Sequence, residues 1–405
     1  MASSLPENLP SMSFDPNTKF IDDLYLSKKG IHIEEKQNLM LFRYNKKECN
    51  LNDDLVRKCR GLIIDKNTKK IVCSPPEKSL EISDFMKSCY NVSHENIVVE
   101  EFIDGTMINV FYYDNNWMLS TRSCIGADCK WSSKKSFKQM FDEAKGNLNF
   151  ENVNKNWCFT FVLRHKENRI VKDYKESDIV LVNVKEINNN KVVQINLDKA
   201  QQIFRDNNIN IKIPNKFKFN SWKEIYTNCH NLPYDNQGYI IKYFDDQMSK
   251  NIKSSTGLIY DCEIRTKIRN GNYTSVKFLK GNNNNIHYNF LRLRQCSKLK
   301  EYLKYFPEHT ELFNDFTQEL YFVTTEIYKY YLDFRVNKII KYEDIPIEYR
   351  KHVYVLHGIY LNSRLRITFG FVINFVNKMD IPLLLHTINF QKKKNNLIVE
   401  GKQIQ

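Results

Sequence analysis

The segment that decides the fold is residues 100–113, which run Glu100-Glu101-Phe102-Ile103-Asp104-Gly105-Thr106-Met107-Ile108-Asn109-Val110-Phe111-Tyr112-Tyr113. Its apolar and β-branched residues favour two strands, and the Asp-Gly pair supplies a tight corner between them. Because side chains alternate along a strand, Phe102 and Asp104 are expected on one face. Taken alone, an Asp-Gly pair of this kind predicts only a hairpin turn.

Further strand-like segments with polar or basic ends lie on both sides of residues 100–113. They are Arg60–Asp65, Phe159–Val162, Glu167–Val171, Gln237–Lys242 and Arg265–Arg269. Short strands in this number, with few helices between them, predict an α+β domain built on antiparallel sheets. Lys267 and Arg269 are two residues apart, so their side chains should share one face of their strand.

The pattern changes near the run of four Asn at 282–285, which is typical of a loop. Beyond it, apolar residues recur at three-to-four spacing and predict helices whose aromatic stripes form a core. The sequence therefore predicts four regions. They are an N-terminal arm with the first strands at 1–56, whose residues 1–18 are loose, the sheet domain at 57–285, a helical domain at 286–390, and a polar tail at 391–405.

Net charge separates the classes of partner. The 405 residues carry a net charge of +14, which favours a polyanion, with nucleic acid ahead of an anionic membrane; a Lys- and Asn-rich composition is the alternative explanation. The ten Cys are scattered singly, which favours free thiols in a reducing compartment. The N-terminus lacks the pattern of a signal peptide, and no apolar run has the length of a membrane span. We expect an intracellular, cytoplasmic protein without a membrane partner.

In their order and spacing, the segments resemble the nucleotidyltransferase domain of the phage-type RNA ligase 1 family over about residues 57–280. The resemblance implies an antiparallel-sheet, ATP-grasp-like ligase domain followed by an all-helical C-terminal domain. It also implies ATP and Mg²⁺ as cofactors, and nucleotide or single-stranded RNA ends as partners. In such ligases a lysine attacks the α-phosphate of ATP, AMP moves to a 5′-phosphate end, and a 3′-hydroxyl then displaces AMP.

The resemblance assigns nucleotide-binding roles mainly to cations. The positions that match, or that supply a basic side chain beside the matching motifs, are Arg60, Lys78, Asp104, Gly105, Arg122, Lys242, Lys267 and Arg269. Phe102 stands where the family has its nucleophilic lysine, and Thr160 and Gln237 stand where it has carboxylates. Phenylalanine cannot form a phosphoramide, and the two neutral residues remove charge that a divalent metal needs. No catalytic residue is therefore intact, and no metal ligand is predicted.

Three functions follow from this pattern. The first is a degenerate ligase fold that binds nucleotide or RNA ends without forming a lysyl-adenylate. The second is an active ligase with a relocated nucleophile, for which Lys78 and Lys242 are the candidates. The third is a non-catalytic single-strand RNA-binding or scaffold protein. ATP binding separates the first from the third, and a protein partner stays open in each.

Overall fold

The structure, a computed structural model, describes residues 23–89, 96–188, 191–244 and 263–399, with the side chains of 391–399 excepted. The loose arm predicted at residues 1–18 lies outside these ranges. Contacts between residues divide the chain into two compact units, Met1–Ser275 and Val276–Gln405. Each unit is described by itself below. No helix among the described residues is both long and apolar enough to span a bilayer.

The first unit contains the described strands, and each pairing between them is antiparallel. They are β1 Ile31–Lys36, β2 Leu39–Tyr44, β3 Arg60–Asp65, β4 Ile71–Cys73, β5 Ile97–Glu101, β6 Thr106–Tyr113, β7 Asn116–Ser120, β8 Trp157–Arg164, β9 Asp178–Asn188, β10 Lys191–Ile195, β11 Lys216–Phe217, β12 Gly238–Phe244 and β13 Glu263–Arg269. The described strands form an N-terminal sheet β1-β2-β3-β4, a five-stranded sheet β10-β9-β8-β6-β7 and a third sheet β11-β5-β12-β13.

Apolar side chains join these sheets to one another and to the helices of the unit. The helices are α1 Asp23–Lys28, α2 Asp54–Lys58, α3 Ile82–Ser88, α4 Phe137–Ala144, α5 Leu197–Asp206, α6 Trp222–Asn231 and α7 Gly271–Lys280, the last of which continues into the second unit. Leu41 and Ile63 of the N-terminal sheet pack on Phe111 and Cys158 of the five-stranded sheet. The third sheet packs one face on α3 and α6, through contacts that include Phe85 and Ile225.

The Asp-Gly corner does not form the predicted hairpin. Strands β5 and β6 flank it, but β5 pairs with β11 and β12, whereas β6 pairs with β7 and β8. The hairpin prediction is therefore wrong: the corner carries the chain from the third sheet to the five-stranded sheet. Gly105 is needed there because a Cβ at this position would lie 2.4 Å from the carbonyl oxygen of Leu163. Residues 102–105 lie outside both strands, so Phe102 and Asp104 do not share a strand face.

The second unit is helical throughout its described residues. After α7 its helices are α8 Ile286–Gln295, α9 Leu299–Tyr305, α10 Thr310–Tyr331, α11 Ile347–Ser363, α12 Phe369–Asn377 and α13 Ile381–Val399. The aromatic stripes predicted as core pack against one another, as in the contact of Phe290 with Phe313 at 5.3 Å between ring centroids. The backbone of α13 continues to Val399, into the segment predicted as a polar tail. The four-region division of the chain stays a prediction.

Candidate functional site

One face of the third sheet carries a row of cations. Arg265, Lys267 and Arg269 alternate along β13, so their side chains share a face. The opposite face presents Ile268 and its β12 neighbours to the core with α3 and α6. The hydrophobic pattern of β13 thus forces its basic positions onto the other side of the sheet, because a strand can bury only one of its two residue sets there.

Further cations reach this row from the segment that follows the N-terminal sheet. The guanidinium of Arg265 donates to the carbonyl of Glu77, and the Leu80 amide donates to the carbonyl of Arg265 at 2.9 Å. These bonds dock residues 77–80 on the edge of β13 and bring Lys78 with them. Arg60 at the start of β3 donates to the carbonyl of Pro76 at 3.0 Å, which places it beside the same segment.

Burial and mutual repulsion lower the pKa values of two of these cations, Lys267 and Arg60. Burial, followed by repulsion from Arg269, Arg60, Arg265 and Lys78, lowers the pKa of Lys267 to about 8. The same kind of environment lowers the pKa of Arg60 to about 10, through burial and then the charge of Arg265. Arg60 thus stays charged at neutral pH, while Lys267 is close to titrating.

Lys46 and Arg122 complete the group. Burial lowers the pKa of Lys46, and repulsion from Arg122, Arg269 and Arg60 adds to it. Arg122 lies 5.5 Å from the ring centroid of Tyr44. We call the full set the basic cluster; its members are Lys46, Arg60, Lys78, Arg122, Arg265, Lys267 and Arg269. Mutual repulsion of this kind is relieved when an anion binds, so the cluster is suited to phosphate groups.

Phe102 lies at the edge of this cluster. Its amide donates to the carbonyl of Gly238 at 2.9 Å, which extends the pairing of β5 with β12 by one bond. The guanidinium of Arg269 lies over the Phe102 ring, 5.6 Å from its centroid. Such a contact stabilises a cation over an aromatic face. Phe102 is therefore a half-buried aromatic ring that contacts a cluster arginine.

Lys242 is part of a buried ion network instead. Its ammonium lies 2.9 Å from a carboxylate oxygen of Glu100 and 3.5 Å from one of Glu263, and all three side chains are almost fully buried. Burial opposes the charge, but the carboxylates of Glu263 and Glu100 outweigh it and raise the pKa of Lys242. A lysine held protonated in this way is a poor nucleophile at neutral pH.

The carboxylate of Asp104 is occupied by structural hydrogen bonds. It is buried and accepts from the amides of Val171 and Lys172 at 3.0 Å each and from the Tyr273 hydroxyl at 2.7 Å. The hydroxyl of Tyr174 donates to the backbone carbonyl of Asp104 at 3.0 Å. Asp104 thus ties the corner to the segment after Arg169. Its predicted contact with nucleotide stays a prediction.

We predict that Asp104→Asn lowers the free energy of unfolding of the first unit by about 2 kcal/mol, because an amide cannot accept from three donors as a carboxylate does. Tyr273→Phe, which removes one of those donors, should cost about 1 kcal/mol. Denaturant unfolding followed by tryptophan fluorescence measures both. Strictly additive losses in the double variant would contradict a shared hydrogen-bond network.

Thr160 and Gln237, predicted from the resemblance to stand at carboxylate positions, do not fit a divalent metal. Thr160 is fully buried, and its hydroxyl donates to the side-chain oxygen of Asn109 at 3.0 Å, while Asn109 donates to Ser120 at 3.2 Å. Gln237 is buried and neutral. Within the described ranges, no group of three or more His, Cys, Asp or Glu residues is arranged to hold a metal ion. The described residues of this site therefore offer no set of ligands for a metal-assisted step.

The structure brings together most of the predicted cations but not all of the predicted residues. Arg60, Lys78, Arg122, Lys267 and Arg269 belong to the basic cluster. Sequence reasoning missed Lys46 and Arg265. Alternation with Lys267 and Arg269 on one strand could have indicated Arg265, whereas Lys46 stands in a polar turn that no motif marks.

Comparison with known proteins gives a family match. A family model described as "RNA ligase" matches residues 58–261. An RNA ligase of Rhodothermus phage RM378 is 23% identical over 227 residues, which cover 47% of this chain and 51% of that protein. The immediate-early protein ICP-46 homolog of Invertebrate iridescent virus 3 is 22% identical over 298 residues, which cover 69% of this chain and 61% of that protein. The chain thus spans only about half to three fifths of these two relatives.

Solved structures of ligases are also similar to the chain. An archaeal ATP-dependent RNA ligase has a TM-score of 0.41 at 11% identity, covering 73% of this chain and 69% of that one. A mutant Naegleria gruberi RNA ligase with ATP and Mn has a TM-score of 0.37 at 12% identity, covering 51% of this chain and 57% of that one. The family model spans half of the chain, and the matched residues include Arg60, Phe102, Thr160 and Gln237. The chain belongs to the phage-type RNA ligase family.

Proposed function

We propose that this chain binds the phosphates of ATP, and of RNA ends, in the basic cluster without forming a lysyl-adenylate at position 102. The observation that carries the proposal is the contact of Arg269 with the ring of Phe102 inside a group of seven cations. An aromatic ring occupies the place of the nucleophile, while the groups that hold phosphate are retained. The proposed activity is therefore recognition of a phosphorylated ligand.

The electrostatics support an anionic ligand in particular. Burial, and then repulsion from neighbouring cations, lowers the pKa of Lys267 to about 8, and a bound phosphate would offset that repulsion. Charge-assisted bonds from guanidinium groups to phosphate oxygens add geometric specificity. A scaffold protein without a nucleotide pocket would not need mutually repelling cations gathered in one place. The basic cluster therefore favours the phosphate-binding alternative.

A second candidate function keeps the chemistry and moves the nucleophile. Burial and neighbouring cations lower the pKa of Lys267 to about 8, so a fraction of its side chain is free amine near neutral pH. Lys242, named from the sequence, is held protonated by Glu100 and Glu263. Lys78, the other candidate, lies 3.1 Å from the carboxylate of Glu81. A relocated nucleophile, if the chain uses one, is therefore Lys267.

We predict no covalent labelling when the full chain is incubated with α-labelled ATP and Mg²⁺ and then denatured and separated by electrophoresis. Phe102→Lys should also stay unlabelled, because Thr160 and Gln237 supply no negative charge for a metal. The triple variant Phe102→Lys/Thr160→Glu/Gln237→Glu tests whether charge is the missing part. Calorimetric titration of the unmodified chain with ATP should show binding.

Each result has a definite meaning. A labelled band in the unmodified chain would overturn the proposal, and its loss in Lys267→Arg would establish the second candidate. Labelling of Phe102→Lys alone would refute the argument from the lost carboxylates. Absence of ATP binding, with RNA binding retained, would favour the scaffold alternative.

A further inference from the structure

The second unit contains an open depression of about 520 Å³, a volume in the range of small-ligand sites. It is lined by Phe334, Arg335, Lys338, Ile340, Lys341, Tyr342 and His357. Three of these residues are cationic, three carry aromatic rings, and no lining residue is acidic. This composition differs from the apolar packing between the helices of the unit.

The backbone that forms the depression is irregular. Helix α10 ends at Tyr331 and is followed by a π-helical turn at Leu332–Val336, a feature frequent at functional sites. Lys338 then has a left-handed conformation with φ 56°. Lys338 and Lys341 line the depression together with Phe334 and Arg335 of the turn. Both lysine side chains are exposed.

Two aromatic rings present faces near these cations. Phe334 and Tyr342 lie 6.1 Å apart between ring centroids and are tilted by 54°. The guanidinium of Arg335 lies over the ring of Phe334, 4.3 Å from its centroid. The guanidinium of Arg350 lies over the Tyr342 ring, 5.1 Å from its centroid, and Tyr342 is still 45% exposed, which leaves part of the ring open to a ligand. A flat ring could therefore stack on Tyr342 while an attached anion meets the lysines.

Two polar atoms in the lining are buried and have no hydrogen-bond partner in the structure. They are Nε of Arg335 and Nδ1 of His357. Burial, with the charge of Arg335 adding to it, lowers the pKa of His357, so its ring is neutral at pH 7 and can donate or accept. Buried polar groups without partners are costly, and a bound ligand is one way to satisfy them.

Acidic residues close to the depression are directed elsewhere. The carboxylate of Asp344 accepts from the backbone amide of Lys341 at 2.8 Å, and that of Asp333 accepts from the side chain of Asn337 at 3.3 Å. Arg350 donates hydrogen bonds to the backbone carbonyls of Glu343 and Ile345, so these donors are not available to a ligand. The cations left to face a ligand are Arg335, Lys338 and Lys341.

We propose that this depression binds one nucleotide of a single-stranded RNA, with its phosphate on Arg335, Lys338 and Lys341 and its base against Tyr342. Cations beside an exposed aromatic ring are the usual platform for single-stranded nucleic acid. The openness of the site suits a nucleotide within a strand, whose sugar and phosphates must continue in both directions. The lining of the depression shares no residue with the basic cluster, so this inference goes beyond the proposed function.

The test uses the full chain and a short fluorescein-labelled oligouridylate, with binding followed by anisotropy. Background binding by the basic cluster is reduced with Lys267→Ala/Arg269→Ala, and the pocket changes are added to that variant. Tyr342→Ala should weaken the remaining affinity about 10-fold, from the loss of one stacked base. Lys338→Ala/Lys341→Ala should weaken it about as much and reduce its salt dependence.

The matched control is Lys300→Ala/Lys304→Ala, which removes the same charge from two exposed positions of the second unit. It should bind the oligonucleotide as its parent does. Ultraviolet crosslinking of the oligouridylate, followed by mass spectrometry, should place the crosslink on Tyr342 or Phe334. Tyr342→Ala and Lys338→Ala/Lys341→Ala, made separately in the otherwise unmodified chain, should bind ATP as the unmodified chain does, which keeps this result distinct from a failure of the proposed function.

Free uridine monophosphate and inorganic phosphate serve as competitors. Weak competition by either, with much stronger competition by unlabelled oligouridylate, is expected for a strand site. Full competition by uridine monophosphate, at a concentration similar to that of the unlabelled oligouridylate, would overturn the proposal of a strand site. It would indicate a free nucleotide as the ligand. Equal losses in the control and the Lys338→Ala/Lys341→Ala variant would overturn the site itself, as would displacement by an acidic peptide but not by RNA.

Discussion

Replacing Lys242 with methionine should lower the free energy of unfolding of the first unit by about 3–5 kcal/mol. The change leaves the carboxylates of Glu100 and Glu263 buried with no ammonium between them. Breaking one member of a buried ion network costs more than the network contributes, because an uncompensated charge then stays in the interior. Methionine keeps much of the side-chain length, so the expected loss is mainly electrostatic.

Tryptophan fluorescence during denaturant unfolding measures this loss of stability in the first unit. The four tryptophans of the chain, Trp117, Trp131, Trp157 and Trp222, all lie in the first unit. The fluorescence signal therefore comes from the first unit. A shift in midpoint at constant slope would report stability alone.

Two further variants separate the buried network from ordinary charge loss. Lys66→Met removes an exposed partner of Glu35 and should cost less than about 1 kcal/mol. Lys242→Met/Glu100→Gln/Glu263→Gln removes all three charges and should recover part of the stability. A Lys242→Met variant as stable as Lys66→Met would contradict the described network.

The double variant Lys267→Ala/Arg269→Ala should bind ATP and 5′-phosphorylated RNA about 100-fold more weakly than the unmodified chain. Each side chain is expected to make a charge-assisted bond to phosphate, and the two losses together correspond to that factor. The salt dependence of RNA binding should fall as well, by about one counterion per cation removed. Titration calorimetry and anisotropy at several salt concentrations measure these quantities.

Protonation of Lys267 gives a second readout of the same site. Its pKa in the folded protein is about 8, below the ordinary value of 10.5. The cationic form is thus disfavoured in the folded state, so its repulsion lowers stability below pH 8 and is relieved as the pH rises from 8 towards 10.5. Phosphate binding needs that cation and should weaken as the pH rises through 8. Lys267→Arg should remove this pH dependence.

The controls for the double variant use exposed lysines of the same unit. Lys87→Ala/Lys223→Ala removes two positive charges away from the basic cluster and should leave ATP affinity within about 2-fold, as expected for screened surface charges. The double cluster variant should not be less stable than the unmodified chain, because it removes mutually repelling charges. Equal loss of affinity in both pairs, or affinity that salt does not change, would refute phosphate binding by the cluster.

The fold class and the strands could be predicted because they depend on local patterns. The apolar and β-branched residues of β6, β8 and β13 favour an extended strand, and this holds for each strand whatever its partner. The prediction of the Asp104-Gly105 hairpin failed at the next level. A corner between two strands looks the same in sequence whether the strands pair with each other or enter different sheets.

The sequence by itself determined that positions 102, 160 and 237 hold Phe, Thr and Gln, none of which can act as a lysine nucleophile or a carboxylate, and that Lys267 and Arg269 share a strand face. These facts concern residue identity and spacing along one segment. Only the tertiary structure decided which charges meet. It placed Lys46 in the basic cluster, buried Lys242 between Glu100 and Glu263, and gave the Asp104 carboxylate to Tyr273 and two amides. The physical reason is that electrostatic role depends on burial and on neighbours more than a hundred residues away, and neither is encoded in the period of a strand.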